Sequence, residues 1–267
     1  MGPEKTASGS QAYELILRAG PPVAYILNCP SCHPRFNAGK SAGEAAMKRF
    51  LKNNGLCVSL FTLYVIFQIG LSIAGMRQYN NDQRLHGQPP VEYIEYVSGA
   101  AFLEATMENW ESEFLQMSAY VLMTAFLFQR GSPESKKIGS HEHVDDRPRG
   151  VPARDAAWPV RRGGIPLKLY ESSLGLALLC LFFMSFFLHA AGGAREFSRQ
   201  ELQHGAGSVT TLRYIGTSQF WFESLQNWQS EFFSLGVMIV LSIFLRQRGS
   251  AESKPVDSPR DETGHGS

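Results

Sequence analysis

Uncharged, mostly apolar residues are concentrated in four stretches of the chain, and polar residues fill the intervals between them. The two longest stretches, residues 53–76 and 172–194, contain no Asp, Glu, Lys or Arg over 24 and 23 residues. A bilayer core about 30 Å thick is crossed by about 20 helical residues. Each of these stretches is therefore predicted to form a membrane-spanning helix.

The two shorter stretches, residues 114–129 and 232–245, hold 16 and 14 uncharged residues. They become long enough to cross a bilayer if each helix begins near Trp110 or Trp228, because Trp is typical of the membrane–water boundary. A buried helix of a soluble protein is the alternative for these two stretches taken alone. The pattern as a whole predicts an all-α membrane protein with four transmembrane helices.

The four stretches form two pairs, and one pair repeats the other. Residues 51–136 align without a gap to residues 169–254 at an offset of 118, and 25 of the 86 aligned pairs are identical. The identities cluster in four places, of which the exit segments 129–136 and 247–254 are the longest. Self-similarity at a fixed offset is the signature of one structural unit used twice, so two internal repeats of two helices each are predicted.

Lys and Arg residues lie just before the first and third predicted helices and just after the second and fourth. The positive-inside rule then places both termini and the central linker in the cytoplasm, and the loops around His86 and His204 outside. Because each pair enters and leaves on the same side, the repeats are predicted to be parallel. The expected location is the bacterial inner membrane, crossed several times.

Composition predicts three segments outside the helix pairs, which themselves occupy residues 47–137 and 167–254. Residues 138–166 are rich in Pro and charge and are predicted to be a disordered cytoplasmic linker, and residues 255–267 a disordered tail. Residues 1–46 have no counterpart in the second repeat and are predicted to be a disordered extension. A start site assigned too far upstream would explain this extension.

Cys29, Cys32 and His33 have the spacing of a c-type haem attachment site. Haem is attached outside the cytoplasmic membrane, whereas this segment has no export signal and lies on the predicted inner side. A zinc site would need a fourth ligand. We therefore expect a chance motif, and the sequence predicts no cofactor and no bound metal.

Ten polar or aromatic residues recur at equivalent positions and are candidates for a shared role, namely Arg77, His86, Asn109, Trp110, Glu113, Arg195, His204, Asn227, Trp228 and Glu231. An ion pair between Arg77 and Glu113 is predicted at the outer membrane surface, and an equivalent pair between Arg195 and Glu231 is predicted in the second repeat. The two Asn residues are predicted to cap the return helices. A purely structural role and a site for a proton, an ion or a small solute are both open.

Residues 102–117 and 246–254 resemble an uncharacterised family of small bacterial multi-pass membrane proteins, a domain of unknown function. The resemblance implies four helices and a location in the cell membrane, and it implies no activity.

The sequence contains no Walker loop, no G-x-S-x-G and no H-E-x-x-H, so an enzyme is not expected. Its basic residues are spread along the chain, which speaks against a nucleic-acid partner. Two classes of function remain. The first is a structural or interaction component of the membrane, whose partners are the lipid bilayer and other membrane proteins or further copies of the chain. The second is an oligomeric carrier or channel for a small solute or ion.

Overall fold

The computed structural model describes residues 38–148, 156–205 and 207–264. Helix accounts for 72% of the structure, and the described residues contain no strand, which confirms the all-α prediction. In chain order the helices are α1 (Ala38–Leu85), α2 (Tyr93–Val97), α3 (Ala100–Phe126), α4 (Trp158–Arg162), α5 (Gly164–Glu171), α6 (Ser173–Gln203), α7 (Thr211–Ile215) and α8 (Ser218–Phe244), with a 3₁₀ turn at His143–Asp145.

The chain divides into two compact units, residues 1–67 and 68–267. The described part of the first unit is the N-terminal portion of α1. The helix leaves helical geometry at Asn54 (φ −125°, ψ 17°), whose side chain donates to the Phe50 carbonyl at 2.9 Å. Large apolar side chains such as Leu56 and Phe61 are 75% and 71% exposed. This portion is an apolar helix with little protein around its side chains.

In the second unit, α3 packs most extensively against α6 and also contacts α8. The close approach of α6 to α3 depends on Gly192. A Cβ atom added there would lie 2.9 Å from the backbone nitrogen of Glu104, which real Cβ atoms do not tolerate. Glycine at this position therefore sets the distance between the two helices.

Many of the most completely buried side chains of the second unit are polar. Six of them, all between 0 and 2% exposed, lie on α3, α6 and α8, namely Glu111, Ser112, Ser118, Ser185, His189 and Ser224. Large apolar side chains on the same helices face outward, including Phe126 at 76% and Phe233 at 71% exposure. The interior of the unit thus holds polar side chains beside a small aromatic cluster that includes Tyr214 and Phe220, while much of the outer surface is apolar.

Helix boundaries recur at the offset found in the sequence. Helices α2 and α7 begin 118 residues apart and end 118 residues apart, and the same holds for α3 and α8. The kink at Asn54 has its counterpart at Ser172 (φ −115°, ψ 10°). Gly87 and Gly205, which follow the ends of α1 and α6, both have positive φ, at 68° and 79°. Local geometry therefore follows the sequence alignment closely.

Among the residues that the structure describes, two helices are long and apolar enough to cross a membrane, Gly43–Leu85 and Ser173–Gln203. Helices α3 and α8 are also long, at 27 residues each, but they begin ten residues before Trp110 and Trp228. For α8 the earlier start is stabilised by Thr217, whose hydroxyl accepts from the Phe220 amide at 3.3 Å. Residues that the sequence analysis assigned to outer loops are consequently helical.

Ordered contacts occur in segments that composition predicted to be disordered. Helix α4 lies within the linker, where a proline at its N-terminal end is compatible with helix. In the tail, the Thr263 hydroxyl accepts from the Gly131 amide at 2.9 Å, and the Gly264 amide donates to the Ser132 carbonyl at 3.0 Å. The end of the chain thus contacts the first exit segment.

Candidate functional site

The candidate site surrounds His189, which lies within α6 and is fully buried. Its Nδ1 atom is 2.7 Å from Oε2 of Glu111, a carboxylate on α3 that is also fully buried. Its ring stacks on Phe220 of α8, with 4.9 Å between ring centroids. Three helices therefore meet at this imidazole.

Glu111 fixes the orientation of the His189 ring. The second oxygen of this carboxylate, Oε1, accepts a hydrogen bond from the Trp228 indole at 3.0 Å. An ionised carboxylate can only accept, so Nδ1 of His189 is the donor in the short contact with Glu111. In the neutral imidazole this leaves the lone pair on Nε2, on the opposite side of the ring.

Nε2 of His189 faces two further carboxylates. It lies 3.6 Å from Oε2 of Glu223, beyond hydrogen-bond distance, and it has no hydrogen-bond partner among the described residues. Nε2 and one carboxylate oxygen each of Glu104 and Glu223 all lie within 4.8 Å of one another. A nitrogen and two oxygens thus converge on one point.

The Tyr214 hydroxyl lies between the two carboxylates that face the imidazole. It is 2.8 Å from Oε2 of Glu223 and 3.2 Å from Oε1 of Glu104. A phenol has one proton to donate, so it satisfies only one of these oxygens at a time. The other oxygen of Glu223 accepts from Gln219 at 3.0 Å. Of Oε2 of Glu223 and Oε1 of Glu104, one therefore remains available to a cation or to another hydrogen-bond donor.

A fourth carboxylate lies beside the cluster. Glu108 accepts from the Asn227 amide at 2.5 Å and is partly buried. Together with Glu104 and Glu111 it follows a four- and then three-residue spacing along α3, which places all three on one face of the helix. Helix α3 thus directs a row of carboxylates toward α6 and α8.

Positive charge is scarce around these four carboxylates. Among the described residues, the ion pairs that they form involve only His189, and none involves Lys or Arg. Ionised carboxylates that are buried without a counter-charge cost several kcal/mol each. Bound protons or another cation would therefore stabilise this arrangement, and carboxylate and imidazole groups can bind either.

Aromatic side chains enclose the imidazole side of the site. The ring of Phe220 contacts Phe186 and Tyr214 edge-on, at 5.2 and 5.6 Å between centroids. Trp228 is in edge contact with Phe182 at 6.1 Å. Apolar walls lower the local dielectric constant, which strengthens the interaction of carboxylates with any cation that they bind.

Two of the ten candidate residues from the sequence take part in this cluster. Trp228 and Asn227 donate to buried or partly buried glutamates, rather than anchoring or capping a helix end. The capping role predicted for Asn109 is also wrong. Asn109 lies well inside α3 and donates to the Ala105 carbonyl at 2.7 Å. Trp110 packs edge-on against Phe114.

The ion pair predicted between Arg77 and Glu113 is not formed among the residues that the structure describes. Both side chains are exposed. Because α3 begins at residue 100, Glu113 lies about 20 Å along that helix, whereas Arg77 lies only about 12 Å from the end of α1. The equivalent residues Arg195 and Glu231 form no ion pair within the described part of the chain either.

His86 and His204 lie just beyond the ends of α1 and α6. Each Nδ1 atom contacts the backbone carbonyl four residues earlier, at 2.9 and 2.8 Å. The two rings are 6.4 Å apart, edge to face. Cys29, Cys32 and His33 lie outside the described residues.

Sequence reasoning missed the central residues of the site, although two signals were present. His189 is the one basic side chain in the stretch 172–194, whose other residues are apolar or small and uncharged, and such a group in an apolar stretch suggests function. Glu104, Glu108 and Glu111 have helical spacing, but they were assigned to a loop or its edge. The pairing itself could not be read from the sequence, because Glu104 and Glu223 are distant along the chain.

The structure thus defines an all-helical protein with two helices long and apolar enough to cross a membrane and a buried carboxylate–histidine cluster. Residues 47–265 match the family described as Domain of unknown function (DUF6766), and the chain belongs to that family. This confirms the predicted membership of an uncharacterised family. No curated protein and no solved structure matches the chain.

Proposed function

We propose that the chain is an integral membrane protein of the bacterial inner membrane, with α1, α3, α6 and α8 as four membrane-spanning helices. The distribution of side chains in the second unit supports this. Polar groups such as Glu111 and His189 are buried, while Phe126 and Phe233 are exposed. A soluble protein has the reverse arrangement, whereas lipid solvates apolar side chains without cost.

We further propose that the two helix pairs are parallel repeats. The ends of α1 and α6 lie together, where Arg199 stacks over the Tyr79 ring at 4.7 Å and donates to Gln83. At the opposite end of the helices, Arg130 pairs with Asp261 at 3.4 Å. Equivalent helix ends thus share a side, as parallel repeats require. The basic exit segments favour a cytoplasmic location for that second side.

The topology is tested by labelling cysteines in intact cells. A cysteine at Gly87 or Gly205 is expected to react with a membrane-impermeant maleimide, and one at Gly139 only after permeabilisation. Replacing the four native cysteines Cys29, Cys32, Cys57 and Cys180 with Ser first removes their background labelling. Labelling at Gly139 alone would invert the topology, and release of the protein from membranes by alkaline carbonate would contradict integration.

Within the membrane, we propose that the protein is a carrier or channel for a small cation rather than a purely structural component. The single observation behind this proposal is the buried contact of His189 with Glu111 on one side and its approach to Glu223 on the other. A well-packed apolar core is often as stable as a buried ionic network or more so. Ionisable groups retained inside a membrane bundle therefore favour binding or passage of a charged species.

Transport is tested with purified protein in liposomes that carry an internal pH indicator and an internal divalent-metal indicator. Under an inside-negative potential, wild-type protein is expected to admit protons or a divalent cation. His189→Gln, which keeps a donor for Glu111, is expected to reduce this uptake at least tenfold. Glu113→Gln, an exposed carboxylate on the same α3 helix, is the matched control and is expected to transport normally. Wild-type protein without uptake of either cation would contradict the proposal.

A further inference from the structure

We propose that Glu104, His189 and Glu223 together bind one divalent first-row transition-metal ion, of the class of Mn²⁺, Fe²⁺ or Zn²⁺. This inference rests on the proposed cation-binding function and names the class of cation. The residues come from three different helices, α3, α6 and α8. A metal ion at their meeting point would therefore join the whole second unit at one centre.

The separation of the facing atoms fits a shared metal ion. Nε2 of His189 and Oε2 of Glu223 are 3.6 Å apart, too far for a hydrogen bond. Two ligand atoms each about 2.1 Å from one metal ion are separated by roughly 3.4 Å when the geometry is tetrahedral. The observed distance is close to this value. All three ligand atoms, including that of Glu104, lie within 4.8 Å of one another.

His189 supplies an observation that is independent of the acidic residues. Its side chain is fully buried, and its Nε2 atom has no hydrogen-bond partner among the described residues. A buried nitrogen left without a partner costs about 1–3 kcal/mol, so its orientation toward two carboxylates requires an explanation. A coordinated metal ion provides one, because it occupies the lone pair of Nε2.

Glu111 completes the arrangement that is usual for a metal-bound histidine. Such a histidine donates a hydrogen bond from its other ring N–H to a carboxylate. This bond fixes the tautomer and raises the basicity of the ligating nitrogen. The 2.7 Å contact between Nδ1 of His189 and Glu111 has this geometry, and Trp228 in turn holds Glu111. Glu111 is therefore a positioning residue rather than a metal ligand.

The donor set selects among metal ions. Imidazole together with carboxylates suits Mn²⁺, Fe²⁺ and Zn²⁺, whereas Mg²⁺ and Ca²⁺ prefer oxygen ligands alone. Three protein ligands leave at least one coordination position open. An open position is what a site that exchanges its ion needs, in contrast to a closed structural zinc site.

The test uses the full chain in detergent, stripped with EDTA and then titrated separately with Mn²⁺, Zn²⁺ and Mg²⁺. Bound metal is counted by mass spectrometry, and Mn²⁺ is also followed by electron paramagnetic resonance. Wild-type protein is expected to bind one ion per chain. Glu104→Gln and Glu223→Gln, which preserve side-chain shape, are expected to weaken binding at least tenfold, and Glu111→Gln by about 10- to 100-fold. Glu113→Gln is the matched control, expected to bind as wild type does.

The outcomes separate this inference from the proposed function. If wild-type protein binds neither Mn²⁺ nor Zn²⁺ but still admits protons in liposomes, the metal site is wrong and the cation is a proton. Equal metal binding by wild type, Glu104→Gln and Glu223→Gln would also overturn the assignment. Loss of metal binding in Glu104→Gln and Glu223→Gln supports the assignment when the helical circular dichroism and gel-filtration profiles of these variants match those of wild type. Binding of Mg²⁺ as tight as that of Mn²⁺ would contradict a role for the imidazole.

Discussion

The two apolar helices α1 and α6 are equivalent in sequence position yet differ in their surroundings. In the most apolar part of each, 6% of the residues of α1 are buried, against 28% in α6. At the position where α6 carries His189, α1 carries Leu71. The same helical framework thus presents an apolar side chain in one copy and a buried imidazole in the other.

The difference extends to the partners of the imidazole. Glu111 of α3 corresponds to Gln229 of α8, and Glu223 of α8 corresponds to Ala105 of α3. The cluster therefore combines carboxylates from the second helix of each pair with a histidine found only in the second pair. The repeats therefore differ in sequence where the chemistry is concentrated.

The largest expected effect on stability comes from replacing His189 of α6 with Leu, the residue at the equivalent position of α1. His189→Leu removes the imidazole and leaves Glu111 and Glu223 buried without it, so we expect a loss of about 3–5 kcal/mol in the free energy of unfolding. The measurement is a titration with sodium dodecyl sulphate in mixed micelles. Leu71→Ala, at the equivalent position of α1, is the matched control and is expected to have a small effect, because Leu71 is exposed.

A variant that exchanges the whole cluster sharpens this comparison. Glu111→Gln, His189→Leu and Glu223→Ala together install the residue that the other repeat carries at each position. Removing the charges along with their partner is expected to recover at least half of the stability lost in His189→Leu. A triple variant that is less stable than His189→Leu would show that the carboxylates stabilise the bundle without the imidazole.

Gly192 gives the next largest effect, and here too the counterpart in the first pair, Ala74, already carries a side chain. In Gly192→Ala the new Cβ atom would lie 2.9 Å from a backbone nitrogen of α3, so the helices must separate. We expect a loss of about 1–3 kcal/mol in the same titration. Gly236→Ala on α8 is the control. Nothing lies within 4 Å of its added Cβ atom, and we expect unchanged or slightly higher stability.

The sequence predicts the framework of this protein better than its site. Uncharged stretches identify α1 and α6, because a helix whose surroundings are apolar along most of its length carries few charged side chains there. The starts of α3 and α8 were predicted ten residues too late, since glutamates such as Glu104 resemble loop residues when only their polarity is considered. What makes them helical is tertiary: they face buried partners, and Gly192 lets α6 approach α3 closely enough for Glu104 to face His189.

The exit segments provide a milder comparison between the repeats. Lys254 is 2% exposed, and its ammonium group donates to the carbonyls of Pro259, Arg260 and Glu262 at 3.0–3.2 Å. Its counterpart Lys136 is less buried. Lys254→Met removes three hydrogen bonds from a charged donor, and we expect a loss of about 1–2 kcal/mol. Lys136→Met is expected to cost less, and an equal loss in both would mean that burial does not distinguish them.

The smallest expected effect concerns pH and the contact that Lys136 makes with Asp145. The ammonium group lies 2.7 Å from Oδ1 of Asp145, and this hydrogen bond lowers the pKa of that carboxyl below its ordinary value. A carboxyl whose pKa is lower in the folded state stabilises the fold above its unfolded pKa of about 3.9, and the contribution disappears as the pH falls through the folded pKa. Hydrogen exchange of residues 137–146 should therefore accelerate in acid more in wild type than in Asp145→Asn, which lacks the titrating group. Within the described part of the chain, Lys254 forms no such ion pair with a carboxylate. Exchange of residues 255–262 is therefore expected to show no matching acid step, and such a step there would contradict the assignment.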